Sequence, residues 1–150
     1  MSLIVRHAGP GDETTIVHLV RELATASDWP SPIDEHYVRH FLAAADTGVL
    51  LAEDDGATVG LLSYAVVPGL FHAADSGLIE ALVVTEGRRG EGIGRRLLDA
   101  AVHLLREAGC AELSIGADAE NVRAQELYFA AGFTEASVLL EMHVDKGGDG

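Results

Sequence analysis

"LIEALVVTEGRRGEGIGRRLLDAA", residues 78–101, decides how this chain is read. The first seven residues are apolar except for Glu80, and they are rich in branched side chains, as in a buried strand. From Ile93 onward, Leu97, Leu98, Ala101, Leu104 and Leu105 recur at helical spacing, and Gly109 stops that helix. A strand that turns through glycines into a helix makes an anion site. The first amides of a helix have no partner inside it, and the macrodipole adds partial positive charge there. Gly90, Gly92 and Gly94 permit positive φ and let a ligand approach the backbone closely. Arg88, Arg89, Arg95 and Arg96 add four of only ten Lys plus Arg, in a chain of net charge −14. Several converging donors suit a diphosphate better than a lone carboxylate.

Outward from this stretch, the chain alternates short strands and helices. "LIVRHA" (3–8) reads as a first strand, broken by "GPGD". Asp12 stands as an N-cap before a helix that spaces Ile16, Leu19, Val20 and Leu23 on one face. "SDWPSP" (27–32) breaks it, and "IDEHYVRHFLAAA" (33–45) predicts a second, shorter helix. "GVLLAEDDGATVGLLSYAVVPG" (48–69) is two strands about a tight turn at "DDG" (54–56). "LFHAADSG" (70–77) reads as a loop before the strand at 78–84. "AELSIGA" (111–117) is a fifth strand, "NVRAQELYFAAG" (121–132) a short helix ending at Gly132, and "SVLLEMHV" (137–144) a final strand. The expected fold is an α/β sandwich, a mixed and mostly antiparallel sheet of six to seven strands flanked by about four helices. One domain over 1–145 with a flexible tail at 146–150 accounts for the whole chain.

Composition narrows the partners. At 150 residues and 48% hydrophobic content the chain can bury a sizeable core. No apolar run approaches the roughly 20 residues of a membrane span, and residues 1–15 carry no secretory pattern, so a cytoplasmic protein without a membrane partner is expected. Twenty-four acidic residues argue against nucleic acid and suit a cationic small molecule. The single Cys110 excludes an internal disulfide, and seven histidines without ligand spacing give no reason to expect a metal.

Which phosphate ligand fits can be narrowed by elimination. A P-loop needs a Lys and a hydroxyl that are absent after Gly94. A dinucleotide fingerprint needs G-x-G-x-x-G on the first βα turn; here the spacing is G-x-G-x-G and three strands come first. Arg89-Gly90-Glu91-Gly92-Ile93-Gly94 instead resembles the [R/Q]-x-x-G-x-[G/A] motif of the GNAT family, the GCN5-related N-acetyltransferases, on the expected strand-to-helix turn. A second signature of that family, N-x-x-A-x-x-x-Y-x-x-x-G-F, is matched at Asn121, Ala124, Tyr128, Gly132 and Phe133. The order of elements agrees over nearly the whole chain.

The resemblance implies acetyl transfer from acetyl-CoA to an amine by direct attack on the thioester. It implies pyrophosphate binding across Arg88, Arg89, Gly90, Glu91, Gly92, Ile93, Gly94 and Arg95. It implies pantetheine pairing along Leu82, Val83 and Val84, with Asn121, Ala124 and Tyr128 completing the cofactor site. Tyr128 matches the family's general acid for the leaving thiolate. Glu80, a charge inside an apolar strand, is the candidate base, with His72 as the alternative through water. Trp29, His36, Tyr37, Tyr64, Phe71 and His72 are the candidate acceptor pocket, where Trp29 and Tyr37 could hold a cation against an aromatic face. A homodimer, perhaps through the last strands, is a family-level expectation. Polyamines, aminoglycoside-like amines and amino-acid derivatives remain open as acceptors, as do protein amino groups. A non-catalytic acetyl-CoA sensor is the competing reading.

Overall fold

The computed structural model describes residues 2–144, so the tail at 146–150 lies outside the described residues. The elements run β1 (Leu3–His7), α1 (Glu13–Ala26), α2 (Glu35–Ala43), β2 (Thr47–Asp54), β3 (Ala57–Gly69), β4 (Ala74–Val84), α3 (Ile93–Glu107), β5 (Glu112–Ile115) and α4 (Val122–Ala130). The strands form one sheet in chain order, antiparallel from β1 to β4, with β5 added parallel to β4.

Five strands stand where six to seven were expected. The missing one is 137–144, which carries no strand pairing despite its β-like composition. Pairing needs a neighbour in space, which composition does not supply. β4 begins at Ala74, earlier than expected, because the long β3–β4 hairpin draws residues 74–77 into the ladder. No described helix is long and apolar enough to cross a membrane.

Alternation along the strands feeds two cores. Leu50, Ala52, Leu62 and Ile79 meet Ile93, Leu97, Leu98, Ala101 and Leu105 of α3 on one face, with Leu127 and Tyr128 of α4 packed at its side. Val49, Leu51, Leu61, Ala81 and Val83 meet Ile16, Val17, Leu19 and Val38 of α1 and α2 on the other. Ile79 and Ala81 would share a face in a regular strand. They face opposite ways because β4 carries a bulge: Tyr64 pairs with Ile79 and Ser63 with Ala81, which leaves Glu80 as the extra residue.

The β2–β3 turn at "DDG" has the form that hairpin sterics require, with positive φ at both Asp55 (50°) and Gly56 (85°). Asp12 sits at the start of α1 but does not cap it. Its carboxylate instead accepts Arg6 Nη1 and Nη2 at 2.9 and 2.8 Å and the Gly9 amide at 2.8 Å, while Arg6 Nε reaches Glu53 at 2.7 Å. Arg6 holds the Asp12 carboxyl below its ordinary range. A group so depressed stabilises the fold above its unfolded value and loses that contribution as pH falls through the folded one. Asp12→Asn is therefore expected to cost about 1 kcal/mol at neutral pH, since Arg6 is partly exposed. The gap from wild type should close below about pH 4 in denaturant titrations; a gap independent of pH would contradict it.

Candidate active site

The glycine turn is built as the sequence implies at Gly90 and Gly92, but Gly94 lies inside α3 without a positive φ. Gly87, Gly90 and Gly92 all have positive φ, and Gly92, at φ 83°, is the N-cap of α3. The first bond of the helix runs from the Arg96 amide to the Gly92 carbonyl. The amides of Ile93, Gly94 and Arg95 precede that ladder, so they are the unpaired donors of the helix start. The Ile93 side chain is buried in the core, which leaves its amide as the part that can meet a ligand.

The arginines of the turn have distinct tasks. Arg88 Nη2 lies 2.6 Å from Asp54 and its Nε 3.1 Å from Glu91, so it ties the turn to the β2–β3 hairpin. Arg89 Nε donates to the Val84 carbonyl at 3.1 Å, and its Nη2 stands 3.8 Å from Glu22. Arg95 pairs with Asp99 one turn on at 2.9 Å. Arg96 Nη2 reaches the Leu3 carbonyl at 3.3 Å. Two residues that sequence reasoning missed belong here. Glu22 of α1 accepts the Thr85 hydroxyl at 3.0 Å and the Glu86 amide at 2.7 Å, and so fixes where β4 ends. The Arg123 guanidinium stands 3.8 Å from where a Cβ on Gly90 would lie, over the glycine turn. Arg123 had a faint signal, a cation two residues after a helix cap; Glu22 had none, since its contacts lie over 60 residues away.

β4 and β5 pair only from Ser76–Glu112 to Ile79–Ile115. Beyond Ile79 the outer edge of β4 has no neighbouring strand among the described residues. The Thr85 amide bonds Val59 of β3, so by alternation Leu82 and Val84 turn their main-chain groups to the outer edge, where the Val84 carbonyl already accepts Arg89 Nε. Val83 turns its own toward β3 and buries its side chain under α1 and α2. This edge can accept the amides of an extended arm as an added strand.

Asn121 caps α4 by accepting the Ala124 amide at 3.1 Å, and Gln125 Nε2 holds the preceding loop through the Asp118 and Ala119 carbonyls, each at 3.0 Å. The cap engages Asn121 and Ala124 with each other and sets the phase of α4. That phase lays Tyr128 half-buried beside the α3 core, and burial raises its phenol above the ordinary tyrosine value. Tyr128 therefore keeps its proton at neutral pH and can donate it. Gly132, at φ 112°, ends the helix, and the Phe133 amide returns to the Tyr128 carbonyl at 3.0 Å.

On the opposite face, a cleft of about 590 Å³ opens among α1, α2 and the bulge of β4. Glu80 and Ser63 line it together with Asp34, His36, Tyr37 and Phe41. The structure thus brings Glu80, His36 and Tyr37 together. The other pocket candidates fall elsewhere. Tyr64 follows Ser63 and so points to the α3 face, where its ring covers Gly48 and its hydroxyl is 3.4 Å from His7 Nε2. Phe71 and His72 stand at the exposed tip of the β3–β4 hairpin, where His72 Nε2 meets Glu112 at 3.1 Å. That placement withdraws His72 as a partner of Glu80. Trp29 is exposed, with its ring against His143, centroids 4.6 Å apart. Cys110 is packed after α3, its thiol raised by burial and by the Asp75 carboxylate, which makes it a poor nucleophile.

Known proteins resemble this chain in sequence and fold. An aminoglycoside N(6')-acetyltransferase type 1 from Stenotrophomonas maltophilia is 33% identical over 135 residues, 87% of this chain and 86% of its own. A mycothiol acetyltransferase from Beutenbergia cavernae is 38% identical over 89 residues, 59% of this chain but 29% of that longer protein. An aminoglycoside acetyltransferase from an uncultured soil metagenomic sample, solved with trehalose, has the same fold at a TM-score of 0.83 and 20% identity, covering 97% of each chain. The description "Acetyltransferase (GNAT) family" matches residues 17–133, the span from α1 through the glycine turn to the end of α4. The chain belongs to the GNAT family and is an acyl-CoA-dependent N-acetyltransferase.

Proposed function

We propose that this enzyme acetylates a primary amine on a cationic small molecule, with amino sugars of the aminoglycoside class as the leading acceptors. The observation that carries the reading is Glu80: an unpaired bulge residue that opens into the α1–α2 cleft at the point where β4 leaves β5. The 33% identity to an aminoglycoside acetyltransferase over most of both chains supports the acceptor class. So does the charge of −14, which raises the local concentration of a polycation.

The residues present fit acetyl-CoA as co-substrate. The amides of Ile93 to Arg95 and the guanidinium of Arg123 would hold the diphosphate, and the Leu82 and Val84 main chain the arm. The acceptor enters from the cleft as an ammonium, because an alkylamine titrates near ~10. Glu80 takes one proton, directly or through water, and frees the nitrogen lone pair. That nitrogen bonds to the acyl carbon, and an edge amide of β4 stabilises the oxyanion. The oxyanion collapses, the C–S bond breaks and Tyr128 gives its proton to the sulfur, while the surplus proton on the acylated nitrogen passes through water to restore the tyrosine. Glu80 and Tyr128 lie on opposite layers of the fold, which suits one side for the acceptor and the other for the leaving thiol.

A panel of aminoglycosides, polyamines, amino acids and peptide N-termini, read by release of free CoA thiol, tests this. The aminoglycosides are expected to give the highest kcat/KM, by about tenfold or more over monoamines. Turnover confined to peptide amino groups, or CoA binding without turnover on any amine, would overturn it.

A further inference from the structure

The β4 bulge is held from across the ladder by a side chain with no part in the proton transfers. Among the described residues Ser63 is the one buried polar side chain, 7% exposed. Strand alternation turns it to the face of Leu61, so it lines the α1–α2 cleft with Glu80. Its Oγ accepts the Ala81 amide at 3.2 Å, beside the surplus residue of β4. A hydroxyl also carries a proton of its own to donate. Among the described residues nothing accepts that proton. Val49, Leu61 and Ala81 of the same cleft are apolar, and Asp34 accepts the Tyr37 amide at 2.8 Å. A buried donor left without an acceptor costs free energy. Water can meet it in a hydrated cleft, but a substrate that expels the water must bring a lone pair in its place.

That requirement separates acceptors that charge alone does not. A polyamine at neutral pH is a chain of ammonium groups and methylenes, so it offers Ser63 no lone pair. The one lone pair that Glu80 uncovers is committed to the acyl carbon. An amino sugar brings the same ammonium, and it also bears a ring or hydroxyl oxygen on the carbon next to the one that carries the amine. Position agrees with the chemistry. Ala81, which Ser63 holds, directly follows Glu80, so the attacking nitrogen and the hydroxyl share one end of the cleft. With one lone pair held by the Ala81 amide, the hydroxyl proton is directed away from β4. We propose that Ser63 is a specificity-determining residue, whose Oγ–H donates to an oxygen beside the attacking amine and selects amino sugars and amino alcohols over polyamines. The inference rests on the reading of Glu80 as the base in this cleft.

The experiment compares kcat/KM for methyl 6-amino-6-deoxyglucoside with that for 1,5-diaminopentane, read by thiol release at saturating acetyl-CoA. Their ratio is the readout, because a weakened bulge slows both amines alike and cancels. Wild type is expected to favour the amino sugar by about tenfold or more. Ser63→Ala should lower that ratio at least about tenfold. Ser63→Cys, of similar shape but a weak donor, gives the same reading should the alanine variant not fold. Ser63→Thr keeps a hydroxyl and should restore the ratio. A wild-type ratio near one, a ratio that the alanine and cysteine variants leave unchanged, or one that threonine does not restore would overturn the proposal and leave Glu80 in its role. Turnover of neither amine by wild type would overturn this inference and the acceptor reading together.

Discussion

Glu80→Gln is expected to lower kcat by about a hundredfold or more at neutral pH, with CoA affinity unchanged. Glutamine keeps the size and the hydrogen-bonding tip of the side chain but cannot take the ammonium proton. Glu80 is exposed and lies outside the register between β3 and β4, so the ladder is indifferent to the change and the melting temperature should hold. The diagnostic part is the pH profile. As pH rises toward the amine's own value near ~10, the acceptor arrives without its proton and the need for a base falls away. The variant rate should climb about tenfold per pH unit and converge on wild type. A parallel loss at every pH would mean that Glu80 positions the substrate and removes no proton.

The second large effect is expected at Tyr128. Tyr128→Phe removes one oxygen and leaves the ring, so packing against the α3 core and the turn at Gly132 persist. Loss of the proton donor should cost about a hundredfold in kcat, with little change in KM for the amine. Burial holds the wild-type phenol protonated well into the alkaline range, so activity should not fall on the basic side until pH exceeds ordinary tyrosine ionisation. Stopped-flow thiol release with saturating acetyl-CoA reads this step directly. A phenylalanine variant with wild-type kcat would transfer the donor role to water or another group.

Features encoded by near neighbours in sequence were legible before any coordinates. The turn at Asp55–Gly56, the glycine start of α3, its apolar stripe and its stop at Gly109 each need only a few adjacent residues to be recognised. Tyr128 was singled out by the family signature and Glu80 because it breaks an apolar run; the fold sets the first beside the α3 core and the second in the cleft, and their catalytic roles are proposals. Features that depend on distant partners were not. Arg88 was assigned to a ligand, yet Asp54, 34 residues earlier, engages it. Tyr64 was grouped with the aromatics expected to wall the pocket; strand alternation sends it to the other face, while its neighbour Ser63 lines the cleft. Phe71 and His72 were expected at the pocket as part of the segment after the third strand, but that segment is the exposed turn of the β3–β4 hairpin. The strand expected at 137–144 has the right composition but no strand partner among the described residues.

The bulge in β4 also bears on how such an enzyme could be altered. Omitting the extra residue would set Ala81 directly after Ile79 in ordinary alternation, with positions 81 to 84 on the faces they already occupy and opposite Ser63 to Gly60 as now. The core therefore dictates neither the presence nor the identity of the surplus residue, which matters for what it places in the cleft. Selection for a new acceptor can sample side chains at position 80 with almost no penalty in foldability, and libraries that vary it should yield folded variants at nearly the rate of the parent.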